Sequence, residues 1–125
     1  MELKDRDGSV FYDTNSNTVF FRGRLRSTDP MVFRGLGKLL AEADQANRLA
    51  MVWDLRGMLY LNSAGLSVLY HFVNLKAREP GYALKVLANS MHAWQTSSLP
   101  NLKTLLPGIQ LVFSAPVEEA VKPDT

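Results

Sequence analysis

Apolar and polar positions along the chain follow two periods, and the switches between them mark its elements. Val10-Phe11-Tyr12 and Val19-Phe20-Phe21 are β-prone runs separated by Asp13-Thr14-Asn15-Ser16-Asn17, a cluster of turn formers. In the second run Val19, Phe21, Gly23 and Leu25 fall on one side and Arg22, Arg24 and Arg26 on the other, so the pair predicts a half-buried antiparallel hairpin. The period then changes. Met31, Leu36, Leu39, Leu40 and Ala43 recur at near-helical spacing, with Ser27, Thr28 or Asp29 as a cap, Pro30 in the first turn and Gln45-Ala46-Asn47 at the end. Leu49 to Leu55 is a nearly continuous apolar run with one charge near its end, the pattern of a central strand buried on both faces. A short loop carrying Gly57 follows, and Asn62-Ser63 opens a second helix whose stripe is Leu66, Leu69, Tyr70 and Val73, stopped by Pro80-Gly81. Ala83 to Leu87 reads as a strand, His92 to Leu106 as a helix interrupted near Pro100, Ile109 to Phe113 as the last strand, and Val117 to Val121 as a short helical turn. The order β-β-α-β-α-β-α-β predicts an α/β fold. It is a single mixed sheet, parallel after the opening hairpin, with crossover helices packed on one face.

Composition narrows this picture. A chain of 125 residues has room for one domain, residues 1–125, and buries roughly two-thirds of its unfolded surface without staples. Its hydrophobic fraction of 46% and charged fraction of 21% are ordinary for a globular protein. The absence of cysteine excludes disulfides, thiol nucleophiles and thiolate metal sites. The start, MELKDRDGSV, carries no apolar signal core, and no apolar stretch reaches the ~18 residues of a membrane span, so a cytoplasmic location is expected. The formal net charge of +2 is small, and the alternating Arg22, Arg24 and Arg26 read as a solvated strand face, not a nucleic-acid patch.

Several residues mimic chemistry without completing it. Phe33-Arg34-Gly35-Leu36-Gly37-Lys38 lacks the spacing of a phosphate loop and fits a helix with two small residues for close packing. His71 and His92 have no carboxylate-rich surroundings in sequence that would make them metal ligands. Asp54 stands at a predicted strand end without a partnered acid or base, so a turn role is expected. Trp53 belongs to the core and Trp94 to a partly exposed helix face. No enzyme activity, cofactor or metal is expected.

The stretch VWDLRGMLYLNSAGLSVL joins a buried strand to a helix start. The first N–H groups of a helix lack internal partners and its dipole favours negative charge there, so Asn62 or Ser63 can cap. A serine hydroxyl at that place can also carry a phosphate. The segment resembles the central motif of STAS domains (sulphate transporter and anti-sigma factor antagonist): an apolar strand, Asp-Leu, a few residues, then Asp-Ser-Ser/Ala-Gly-Leu and a helix. The resemblance extends to Gly23-Arg24-Leu25-Arg26, where the family has Gly-Glu-Leu-Asp, and to LKVLA, IQLVF and SAPVEEAV near the end.

The resemblance implies a regulatory interaction module of the anti-sigma factor antagonist type. Ser63 would be the phosphorylated residue, and Arg24, Arg26, Arg56, Gly57, Met58, Asn62, Ala64, Gly65 and Leu66 would join it in the partner-binding surface. The implied partners are an anti-sigma-like kinase of the ATPase type and a phosphatase. Two departures matter. Asn62 replaces the motif aspartate, and Arg24 and Arg26 reverse the sign of two acidic positions, which sets this chain against a partner shaped for an acidic surface. Alternatives within reach of the same fold are a subunit supporting an ABC-type lipid or solute transport complex, or a small-ligand sensor. The oligomeric state stays open, a homodimer included.

Overall fold

The computed structural model describes residues 1–114. Six strands form one sheet in the order of the chain: β1 (Glu2–Lys4), β2 (Gly8–Asp13), β3 (Thr18–Leu25), β4 (Ala50–Leu61), β5 (Ala83–Asn89) and β6 (Gln110–Ser114). β1 to β3 pair antiparallel, and β3 to β6 pair parallel. The crossovers carry α1 (Pro30–Ala46), α2 (Ser63–Lys76) and a broken third helix. That third helix consists of α3 (Ala93–Ser98), a 3₁₀ turn (Leu99–Asn101) holding Pro100, and α4 (Leu102–Leu105). The expected α/β architecture holds, with one addition. β1 is too short to show an alternation, and its Leu3 lies close against Gly35 of α1. The helical turn expected at Val117 to Val121 lies outside the described residues.

Alternation places Val10, Tyr12, Val19 and Phe21 in one core with Met51, Trp53, Leu84 and Val86 and with Leu36, Leu40, Leu69 and Val73 of the helices. Trp53 sits at its centre, fully buried, with the rings of Phe72 and Phe21 at 5.8 and 6.2 Å. Met31, expected on the buried stripe of α1, is 62% exposed. It precedes the first full turn, where Asp29 accepts a hydrogen bond from its N–H. Leu49, expected in the central strand, is 76% exposed and precedes β4.

The opposite sheet face differs from expectation. Its residues form a continuous row, Phe11–Phe20–Asp54–Leu87–Val112, by register across five strands. β4 is therefore not sealed between two apolar layers. On that face Asp54 accepts a two-pronged ion pair from Arg56, Nε to Oδ1 at 3.0 Å and Nη2 to Oδ2 at 2.7 Å. The expected turn role of Asp54 is replaced by a charge pair within a strand. Burial alone would raise the Asp54 pKa, but the hydrogen bonds and charge of Arg56 outweigh it and hold the carboxyl below its ordinary value. The Phe11 and Phe20 rings stack at 5.0 Å beneath the Arg22 guanidinium.

At the far end of α1 and α2 lies a buried ion cluster. Lys76, only 4% exposed, donates to Asp44 at 2.7 Å and to Glu79 at 2.8 Å, and its ammonium faces the rings of Phe72 and Tyr82. Among the described residues no helix is long and apolar enough to cross a membrane.

Candidate functional site

The junction between β4 and α2 is built by a single asparagine. Asn62 is extended (φ −75°, ψ 175°), and its N–H donates to the Leu25 carbonyl at 3.2 Å, the last bond tying β4 to β3. Its Oδ1 then accepts from the Gly65 N–H at 3.0 Å, capping α2, while its Nδ2 donates to the Ser27 carbonyl at 3.0 Å. One side chain thus stops a strand, starts a helix and fastens the loop that leads into α1. The capping alternative open in the sequence is resolved in favour of Asn62, which leaves Ser63 uncommitted to that role. Asn62→Ala is expected to lower stability by about 1–2 kcal/mol, since cap and loop anchor go together. Asn62→Asp keeps the cap and loses only the donor to Ser27. Thermal unfolding of the two variants checks the order.

Ser63 is the first residue of α2, and it is exposed. Two hollows flank it. Asn62 lines one of about 570 Å³, together with Arg24, Arg26, Leu59 and Tyr60. Ala64 lines the other, of about 430 Å³, with Pro30, Phe33, Arg34 and Val68 among its neighbours. No acidic residue occupies the first turn of α2, so the positive end of its dipole is unopposed within the helix.

The geometry of the first hollow comes from irregularities in β4. Between the pairs Phe20↔Asp54 and Arg22↔Gly57, β3 advances two residues while β4 advances three. A second shift separates Gly23↔Met58 from Arg24↔Tyr60. Each bulge adds a residue to β4 and breaks its alternation. The first turns Arg56 and Gly57 outward between the buried Leu55 and Met58, and the second leaves the consecutive Leu59 and Tyr60 both 43% exposed. The bulged carbonyls are taken up from α3. Gln95, fully buried, donates through Nε2 to Leu55 and Met58 at 2.7 and 3.0 Å, and Trp94 donates to Met58 at 3.0 Å. Gln95 Oε1 accepts from the Asn89 N–H at 2.8 Å, which locks α3 to β5.

The expected partner surface is therefore only partly assembled. Arg24, Arg26, Asn62, Ser63 and Ala64 come together around the α2 start, and Leu66 is half-buried and packed against the core. Arg56 is exposed but held by Asp54, while Gly57 lies within β4 and not in a loop. Met58 is wholly buried and cannot meet a partner, because the bulge turns it toward the core. Gly65 is also buried, its missing Cβ making room for Leu61 and Phe33. Leu59 and Tyr60 were not anticipated. Met58-Leu59-Tyr60-Leu61 reads as one apolar run, and only the second bulge separates its inward from its outward members.

His71 is exposed on α2, and His92 places its ring 3.2 Å from the Arg56 carbonyl. Among the described residues no group of three or more histidines and carboxylates stands where it could hold a metal ion. A third hollow of about 560 Å³ runs between α1 and α2, lined by Leu40, Val68, Phe72 and Leu75 with the Asp44–Lys76 pair.

No protein-family model matches the chain, and no curated protein matches it in sequence. Solved structures do match in shape. SiaC of Pseudomonas aeruginosa aligns with a TM-score of 0.69 at 11% identity, over 93% of this chain and 98% of that one. Apo-SiaC from the same organism gives 0.69 at 10% identity over 90% and 93%. A chain in the crystal structure of the diguanylate cyclase SiaD with its activator SiaC, also from Pseudomonas aeruginosa, gives 0.71 at 10% over 93% and 99%. The likeness establishes a shared fold. After β1, the chain's own elements follow the β-β-α-β-α-β-α-β order expected from its periodicity, with one sheet and crossover helices.

Proposed function

We propose that this chain is a regulatory module that works by binding other proteins, switching between partners through the β4–α2 junction and catalysing nothing itself. The observation that carries this reading is the position of Ser63. It is exposed at the start of a capped helix, between two hollows, where a docking protein and a modifying enzyme can both reach it. The fold shared with SiaC, described as the activator of SiaD in their solved complex, supports a regulator of this general kind.

In the unmodified state the junction docks on an anti-sigma-like kinase of the ATPase type and releases what that protein had held. Phosphorylation of Ser63 adds about −1.5 to −2 charges at neutral pH and alters the potential of the docking surface. A phosphatase resets the module, which acts in the cytoplasm. A second reading, a small-ligand sensor, draws on the apolar hollow between α1 and α2.

The test is phosphate mapping on chain recovered from its own cells. Ser63→Ala is expected to fold with an unchanged melting temperature, within about 0.5 kcal/mol of wild type as for an exposed site, and to carry no phosphate. Ser63→Glu is expected to weaken partner binding about tenfold. Phosphate retained in full by Ser63→Ala would move the acceptor to another residue.

A further inference from the structure

We infer that the hollow beside Ser63 receives an acidic protein segment carrying an apolar anchor; this rests on the interaction-module reading above. The sign of the surface is the first argument. Arg24 and Arg26 are exposed at the end of β3, and no carboxylate lines the hollow that they form with Leu59, Tyr60 and Asn62. Arg26 pairs with Asp7 at 2.6 Å, in an exposed pair that solvent screens. Arg24 lies within no ion pair among the described residues, although Asp5 and Asp7 share the neighbouring hollow with it. The α2 N-terminus, whose cap Asn62 lines the hollow, adds positive potential, with no acidic residue in its first turn.

The second argument is the pair of apolar side chains. Leu59 and Tyr60 are adjacent in sequence and both large and exposed, an arrangement that the bulge in β4 imposes. Arg24 pairs in register with Tyr60, so the two residues stand side by side on neighbouring strands. An aromatic and an aliphatic residue rimmed by arginines match the make-up of protein interfaces, where apolar anchors sit inside a charged border. Nucleic acid is the poorer fit, because two arginines in a chain of net charge +2 supply little counter-charge for a phosphate backbone.

The inference also gives the modification a direction. A phosphate on Ser63 would stand next to arginines that an acidic partner needs, and would compete for them as well as repel that partner.

The test uses the full chain. Wild type and the Arg24→Glu/Arg26→Glu variant are immobilised, the protein retained from lysate of the source cells is identified, and that protein is purified as the probe. Capture alone decides nothing about sign. Its Kd against wild type is expected to weaken at least about tenfold in Arg24→Glu/Arg26→Glu, and again as salt rises several-fold, as for steered, oppositely charged surfaces. Leu59→Ser, which keeps both arginines, is expected to weaken binding without changing the salt dependence. All three positions are exposed, and circular dichroism spectra matching wild type confirm that the variants fold. A Kd indifferent to the arginine reversal and to salt overturns the acidic-segment inference and leaves the module reading standing. Retention abolished by nuclease treatment overturns it in favour of nucleic acid. A wild-type chain that retains no protein at all sinks the module reading, and this inference with it.

Discussion

Lys76→Ala is expected to destabilise the fold by about 3–5 kcal/mol, the largest effect of any single change considered for this protein. The loss does not come from a missing surface bridge. Lys76 is nearly sealed, and its removal leaves Asp44, itself only 8% exposed, without its closest counter-charge. Among the described residues Arg48 is the remaining cation paired with Asp44, at 3.8 Å and mostly exposed. Replacing both partners, Asp44→Leu with Lys76→Met, removes the stranded charge and is expected to recover most of the loss. Urea unfolding of the three proteins checks this, and a Lys76→Ala variant within about 1 kcal/mol of wild type contradicts it.

The same cluster predicts the alkaline limb of stability. Burial pulls the Lys76 pKa down, but the hydrogen bonds and charges of Asp44 and Glu79 outweigh it, and the folded value lies above the ordinary 10.5. A raised folded value means that the contribution is fully present below the unfolded pKa and is lost as pH rises through the folded one. Tyr82 adds to this limb, because burial, and then the charges of Asp44 and Glu79, push its phenol upward. Tyr82→Phe removes that share and leaves the lysine's. Asp54 contributes to the acid limb, alongside Asp13, whose carboxyl the Ser16 hydroxyl holds low. A lowered folded value means that stability present above the ordinary carboxylate pKa is lost as pH falls through the folded one.

The second large effect is expected at Gly65. A Cβ there would collide with Leu61, whose Cγ lies 2.8 Å from the ideal position, and would press on Phe33 Cε1 at 3.4 Å. Leu61 is the last residue of β4 and is 2% exposed, so it has no room to withdraw. Gly65→Val is expected to cost about 1–3 kcal/mol or more through overpacking. Gly57→Ala is the matched control. Its Cβ would meet only ordinary contacts, 3.5 Å to the Phe21 carbonyl and 3.6 Å to Arg22 Cγ, and it should stay within about 1 kcal/mol of wild type. Equal melting temperatures for the two variants would refute the packing role of Gly65. Because this residue is buried, weaker partner binding in Gly65→Val reports on folding before docking.

The periodic parts of the chain were legible without coordinates. The alternation Val19, Phe21, Leu25 against Arg22, Arg24, Arg26 appears intact in the structure, as does the stripe Leu36, Leu39, Leu40, Ala43. Both survive because each follows from one local period and one buried face. The handover from β4 to α2 was legible too, since Asn62 caps through a bond to a residue only three positions away.

What the sequence by itself determined is thus the element order after β1, the core stripes and the place of Ser63 at a helix start. Tertiary structure alone decided which of residues 56–61 face outward. That choice depends on two register shifts against β3, and on Gln95 reaching from α3 to carbonyls 37 and 40 residues away in the chain. It likewise decided that Lys76, Asp44 and Glu79 form one cluster and that one face of the sheet carries a charged pair. The physical reason is the same in each case. A local period reports how a segment divides its faces, whereas a bulge or a buried ion pair is set by atoms that only folding brings within about 3 Å.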